Sequence, residues 1–339
     1  MIAEVPRASC RVLGAVLSAG CLVSGAVPGA MHGAVHRAAA HPAPLPAPHP
    51  APHQTPGTLH STRHQAPGIR HPDSDRLDVT AKSRAVQPGE LVVLTMTAPA
   101  GAGHVRIEAF GHDVATFAAD DRSWQALVGI DLDVKPGTYP VAIAADSGKL
   151  RTTYDLVVKP HRFPTRRLTV DESFVNPPPS ERERIEREAK LLEGVWRAPA
   201  AERLWTDPFV RPVAEAANSR FGTRSVFNGV ARNPHGGADF LSPSGTPIHA
   251  PNAGRVALAR NLYFSGNTIV IDHGLGLFSM LAHLSAMDVR EGDRVSAGEI
   301  VGRVGATGRV TGPHLHWAVR ASGARVDPLG VLALLGSKE

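Results

Sequence analysis

From Leu77 onward the chain is cut repeatedly by turn chemistry, and this limits what it can fold into. Between Leu77 and Lys159 the segments "QPGE", "APAGAG", "VKPGT" and "DSGK" separate the runs "LVVLTMTAP", "HVRIEAF", "TYPVAIAAD" and "LRTTYDLVV". Those runs carry a period of two, the pattern of a strand with one face buried. From Pro208 to the end the turns recur as "SPSGT", "APNAG", "YFSGN", "DHGLG" and "REGD". With 33 glycines and 29 prolines in 339 residues, short strands joined by many turns are favoured over long helices. The expected fold class is mainly β. A β-sandwich-like domain is expected at 77–160, a short connecting helix within a connector at 161–207, and an antiparallel β-sheet domain at 208–335. Within the last, "VREGDRVSAGEIVGRV" reads as two short strands about a Gly-rich turn.

The helix is expected after three prolines. Ser180 followed by Glu183 has the spacing of a capping box, and Ile185, Ala189, Leu192 and Trp196 recur at helical spacing. Its Glu/Arg alternation reads as a solvated face with i,i+4 pairs.

The first 76 residues have a different character. Arg7 and Arg11 precede an apolar run from Val12 to about Val27, followed by small residues, which is the layout of a secretory signal peptide at 1–30. The stretch "LSAGC" ending at Cys21 is also a loose lipobox, so membrane attachment through the N-terminal segment stays open beside cleavage. Residues 31–76 repeat Ala, Pro and His and read as an extended linker. The folded part is thus expected outside the cytoplasm, in the periplasm or cell envelope. Cys10 and Cys21 are the two cysteines, so nothing downstream can rest on a disulfide framework or a thiolate metal site. A formal charge of +5 without a dense basic stripe argues against nucleic acid as a partner. The oligomeric state is not legible.

Chemistry-bearing residues collect near the C-terminus. "TGPHLHW" puts His314 and His316 two apart, which on a strand is one face. "NPHGGADF" supplies His235 and Asp239, on a loop running into a strand because Gly236 and Gly237 disfavour a helix. "SMLAHLS" adds His283 in mid-strand. Imidazoles bonded to backbone would satisfy each motif singly; together they offer the nitrogen and carboxylate donors that hydrolytic zinc uses with one position left open. Two histidines and a carboxylate can equally hold Fe(II) in an oxygenase.

The ordered set "SRFG", "FNG", "HGGADF", "SGTPIHAP", "SGNTIVIDHG", "AHLS", "GDRVSAGEIVG" and "TGRVTGPHLHW", spanning about Ser219 to Leu329, resembles the lysostaphin-type zinc endopeptidases of peptidoglycan, peptidase family M23. The resemblance implies one Zn²⁺ held by His235, Asp239 and His316, with His283 and His314 beside it as catalytic histidines. It also implies hydrolysis of peptide bonds in peptidoglycan stems or cross-bridges. His249 and His273 lie in matching stretches but outside that ligand set and are expected to be structural. Phe278 and Leu281 stand in the stretch before His283 where family members often carry other aromatics, a change that touches substrate contacts and no ligand. An alternative within the resemblance is a non-catalytic, wall-associated activator of other hydrolases.

Overall fold

The computed structural model describes residues 60–62, 76–99, 101–169 and 176–337. The expected leader, and the Ala/Pro/His linker apart from 60–62 and 76, lie outside the described residues. The molecule is mainly β, as the turn spacing indicates.

The N-terminal part is a sandwich of two antiparallel sheets. One has the order His60–Thr62, Asp78–Ser83, Leu91–Thr97, Ser123–Gly129, Thr116–Ala118; the other runs His112–Val114, Arg106–Ala109, Gly137–Ala145, Leu150–Val158. Val92, Leu94, Met96, Ile107, Val128, Ile143 and Leu156 interdigitate between them. The run "LVVL" departs from clean alternation for a physical reason. Val92 and Leu94 face the sandwich, whereas Leu91 and Val93, with Leu127, join the core of the C-terminal part. A strand covered on both faces needs apolar residues at consecutive positions.

The C-terminal part is a ten-stranded sheet whose main path runs Ala217–Ser219, Gly237–Phe240, Leu315–Ala321, Leu277–Met287, Gly266–Gly274, Gly254–Leu262, Arg294–Val295. Phe240, Ile269, Ile271, Leu281, Leu315, Trp317 and Val319 fill its core. The strands Arg294–Val295 and Ile300–Val304 form as expected about Gly298, which has φ 77°. They do not pair with each other: the first adds to Gly254–Leu262, the second to Pro247–His249 and Leu277–Met287.

The helix covers Arg182–Arg197 and lays Leu192 against Leu258, Leu262, Val270 and Phe278. Trp196 meets the edge of Phe278, with centroids 5.3 Å apart. On its outer face Arg184 pairs with Glu188 at 2.7 Å and Arg187 with Glu183 at 3.5 Å. The expected capping box is absent. Pro179–Glu181 form a 3₁₀ turn that leads into the helix, so Ser180 sits inside a turn, and the N-cap position falls on Glu181 without a side-chain cap bond.

The two β parts are joined tightly. Arg325 donates to Asp131 (Nη2 to Oδ1, 2.5 Å; Nε to Oδ2, 2.9 Å) and to Asp133 (2.8 Å), and Arg84 bridges Glu90 (2.7 Å) to Asp327. Gly129 is packed so closely that a Cβ there would lie 2.6 Å from the Ala321 carbonyl oxygen. Asp327 also caps the last helix, Pro328–Leu335, accepting from the Leu329 N–H at 3.0 Å.

Candidate metal and catalytic site

Three neighbouring antiparallel strands bring the five motif residues together. Gly237–Phe240 pairs with Leu315–Ala321 so that Asp239 is directly opposite His316, and Leu277–Met287 pairs on the other side with Ala282 opposite His316. His235 arrives from the loop before the first strand. His314 immediately precedes the second, bridged to Gly305 rather than inside the strand proper, yet on the same side as His316. All five side chains belong to buried residues.

His235 Nε2, Asp239 Oδ1 and His316 Nδ1 form a triangle with edges of 3.0, 2.8 and 3.1 Å. The His235 Nδ1–H donates to the Arg220 carbonyl at 3.1 Å, so its Nε2 lone pair points inward at a carboxylate oxygen. Acceptors facing each other at such distances call for a cation between them. Tetrahedral zinc with bonds near 2.0–2.1 Å would separate its ligands by about 3.3 Å. The triangle fits that geometry with a small expansion. Without a metal a proton must serve instead: burial opposes a charge on His235, but Asp239 overrides it and raises the imidazole. The Asp239 carboxyl is held well below its usual range, burial again opposing, by the two imidazoles. His316 moves down because burial outweighs its bond to Asp239.

Gly237 shows why the motif needs its second glycine. A Cβ there would meet the Trp317 carbonyl oxygen at 2.4 Å and His316 Cε1 at 2.8 Å, so only a bare backbone can lie across the imidazole.

The remaining two histidines stack beside the triangle. The ring centroids of His283 and His314 are 4.8 Å apart, and those of His283 and His316 6.0 Å. Each gives its Nδ1–H to a carbonyl: His283 to Thr307 and His314 to Gly312, both at 3.0 Å. Both Nε2 atoms therefore carry lone pairs. That of His314 is buried without a hydrogen-bond partner and lies 4.0 Å from Asp239 Oδ1. Burial and then the neighbouring imidazoles push His283 down to about 3, so its ring is neutral.

His283 also has strained backbone. Asn267 faces Leu284 and Ile269 faces Leu281, so Thr268 opposes two residues; His283 is one of that pair, at φ 69°. A non-glycine residue there costs on the order of 1–3 kcal/mol.

The other histidines of the matching stretches stand apart. His249 bonds the Gly298 carbonyl at 2.7 Å. His273 donates to Ala253 O at 2.8 Å and accepts from Ser279 Oγ at 2.9 Å, in a closed network with Trp317. Missed by the sequence reading were the carbonyls of Arg220, Thr307 and Gly312, which fix the tautomers. A carbonyl leaves no residue signature, although "SRFG" and "TGRVTG" marked the segments that supply them.

Fold and pocket together define a β-sheet protein with a buried His/Asp/His donor set and a paired histidine beside it. Peptidase family M23 matches residues 233–328. Over 96 residues the chain is 43% identical to the peptidoglycan DD-endopeptidase ShyA of Vibrio cholerae, covering 28% of this chain and 22% of that protein. Over 97 residues it is 42% identical to the DD-carboxypeptidase/endopeptidase Mpg of Neisseria meningitidis, again 22% of that protein's length. A crystal structure of a putative peptidase M23 from Pseudomonas aeruginosa is similar over far more. It has 34% identity and a TM-score of 0.59, covering 73% of this chain and 95% of that one. The chain belongs to peptidase family M23.

Proposed function

We propose that this chain is an exported zinc endopeptidase that hydrolyses peptide bonds in the stems or cross-bridges of bacterial peptidoglycan. The observation that carries the reading is the buried triangle of His235, Asp239 and His316 beside an unpartnered His314 Nε2. His235, Asp239 and His316 would hold Zn²⁺. The ion would supply Lewis acidity, polarising a carbonyl and making water more acidic. The chain's residues do the rest. Arg220 fixes His235 in the tautomer that presents Nε2, and Thr307 and Gly312 do the same for His283 and His314. A neutral imidazole with a free lone pair can take a proton from an attacking water and, once protonated, donate to the oxyanion. The relatives' names favour a D,D bond.

The role of the two β parts follows in the same proposal: a sandwich at 77–160, a connector at 161–207 and the peptidase at 208–335, preceded by a leader and linker. Among the described residues no helix is long and apolar enough to cross a membrane.

Digestion of purified peptidoglycan, with and without a chelator and with mass spectrometry of the fragments, tests the reading. Chelator-sensitive release of peptide-linked fragments is expected. Intact peptidoglycan beside zinc-loaded protein would sink it.

A further inference from the structure

Of the three triangle residues, Asp239 and His316 lie opposite each other on paired strands, whereas His235 precedes its strand. It is tied instead to the turn 220–223. The Arg220 carbonyl takes its Nδ1–H at 3.1 Å. The main chains exchange two more bonds, Gly222 N–H to His235 O at 2.7 Å and His235 N–H to Thr223 O at 2.9 Å. The Thr223 hydroxyl donates to the same Arg220 carbonyl at 2.9 Å and closes the turn. Where this turn sits therefore decides where the His235 imidazole sits.

The turn is gripped from outside the C-terminal sheet. Phe221 is buried and lies on Gly89 of the sandwich, where a Cβ would be 2.3 Å from the Phe221 Cε1. Phe163, half-buried in the connector, covers Gly222 so closely that a Cβ there would fall 2.1 Å from its Cδ1 and 2.2 Å from its Cε1. The two phenylalanine rings meet edge to face with centroids 6.4 Å apart, and His161 meets Phe163 in the same way at 4.6 Å. Next along the connector, the Pro164 carbonyl accepts the Arg224 N–H at 2.8 Å, and Thr165–Leu168 pairs in parallel with Arg224–Phe227. The connector thus pins both the turn and the strand after it. On the sandwich side the Gly89 carbonyl accepts the Asp327 N–H at 2.7 Å, so the residue that backs Phe221 is itself tied to the cap of the last helix. The motif "SRFG" has two duties: a carbonyl for His235 and, beside it, an aromatic–glycine pair by which the rest of the chain holds that carbonyl.

Resting on the zinc reading above, we propose that Phe163 is a positioning residue for the metal site. With Phe221 it clamps the turn 220–223 and thereby fixes His235, which makes the connector and the sandwich part of the support of the metal. Loss of such outer support weakens metal binding without removing a ligand.

The test uses the full chain. Zinc affinity is measured by competition with a chromophoric chelator, and amide hydrogen exchange at Gly222 and His235 is followed with and without zinc. Phe163→Ala should bind zinc roughly tenfold to a hundredfold more weakly than the wild type and speed exchange at both amides. Phe163→Tyr, which keeps the ring, should restore both, and Phe163→Leu should fall between and decides the matter if the alanine variant does not fold. Met96→Ala, in the sandwich core, also removes packing but should leave both readouts at their wild-type values. Unchanged zinc affinity on loss of the Phe163 ring, or an equal loss in Met96→Ala, would overturn the proposal. Should the wild type bind no zinc, the zinc reading fails and exchange alone decides this one: faster exchange at Gly222 and His235 in Phe163→Ala but not in Met96→Ala supports the clamp, and equal exchange overturns it.

Discussion

The two β parts use the same pairing rules and spend them differently. Among the described residues, the sandwich buries the polar side chains of Ser83 and Glu90, and Glu90 is matched by Arg84. The C-terminal sheet buries His235, Asp239, Asp272, His273, His283, His314 and His316. Burying ionisable groups costs stability unless they are paired or ligated. The contrast teaches that the burial of ionisable groups is concentrated in the second part, where His235, Asp239 and His316 converge as donors that could hold a metal ion.

Substitutions can break that division. His316→Ala should abolish both zinc binding and hydrolysis, a loss on the order of 10³-fold or more, read by metal analysis beside the peptidoglycan assay. His283→Ala should keep the metal while lowering kcat by roughly 10²–10⁴-fold; normal cleavage would remove His283 from the chemistry. Met96→Ala, in the sandwich core, should cost about 2–5 kcal/mol in denaturant unfolding with the zinc content of folded protein unchanged. Zinc loss in that variant would show that the two parts are not separable.

A pH titration sharpens the comparison further. Burial holds His273 down at about 4 against an ordinary 6.5. As pH falls below about 6.5 the unfolded chain binds a proton there and the native chain does not, so stability drops until about pH 4 and then levels, by up to about 3 kcal/mol. His273→Asn should flatten that slope; an unchanged slope would assign it to other groups. The smallest effect is expected at the seam. Burial opposes ionisation of Asp131, but Arg325 holds its carboxyl below the ordinary range, so this contact adds stability at neutral pH and loses it as the carboxylate protonates. Asp131→Ala should cost about 1 kcal/mol, because the pair is partly exposed, and leave hydrolysis intact.

What the sequence reveals depends on how locally each feature is determined. The strands follow from alternation and turn residues, and the five site residues could be named because their motifs are short and contiguous. The capping box failed because the prolines before it start a 3₁₀ turn, which spacing does not register. The partner of the strand Arg294–Val295 carries no local signal because pairing is settled by the whole sheet. The double role of "LVVL" needs knowledge of what covers the second face. The left-handed His283 is hidden for a simpler reason: a histidine carries no mark of its φ, as a glycine would.

That last feature sets a conflict for anyone selecting sturdier versions of this protein. Glycine at 283 would relieve the left-handed strain but would also empty a buried position and leave the Thr307 carbonyl without its imidazole partner, so a screen that scores melting temperature alone weighs two opposed effects there. A screen that reads peptidoglycan cleavage beside melting temperature would separate what packing asks of this position from what the proposed chemistry asks of it.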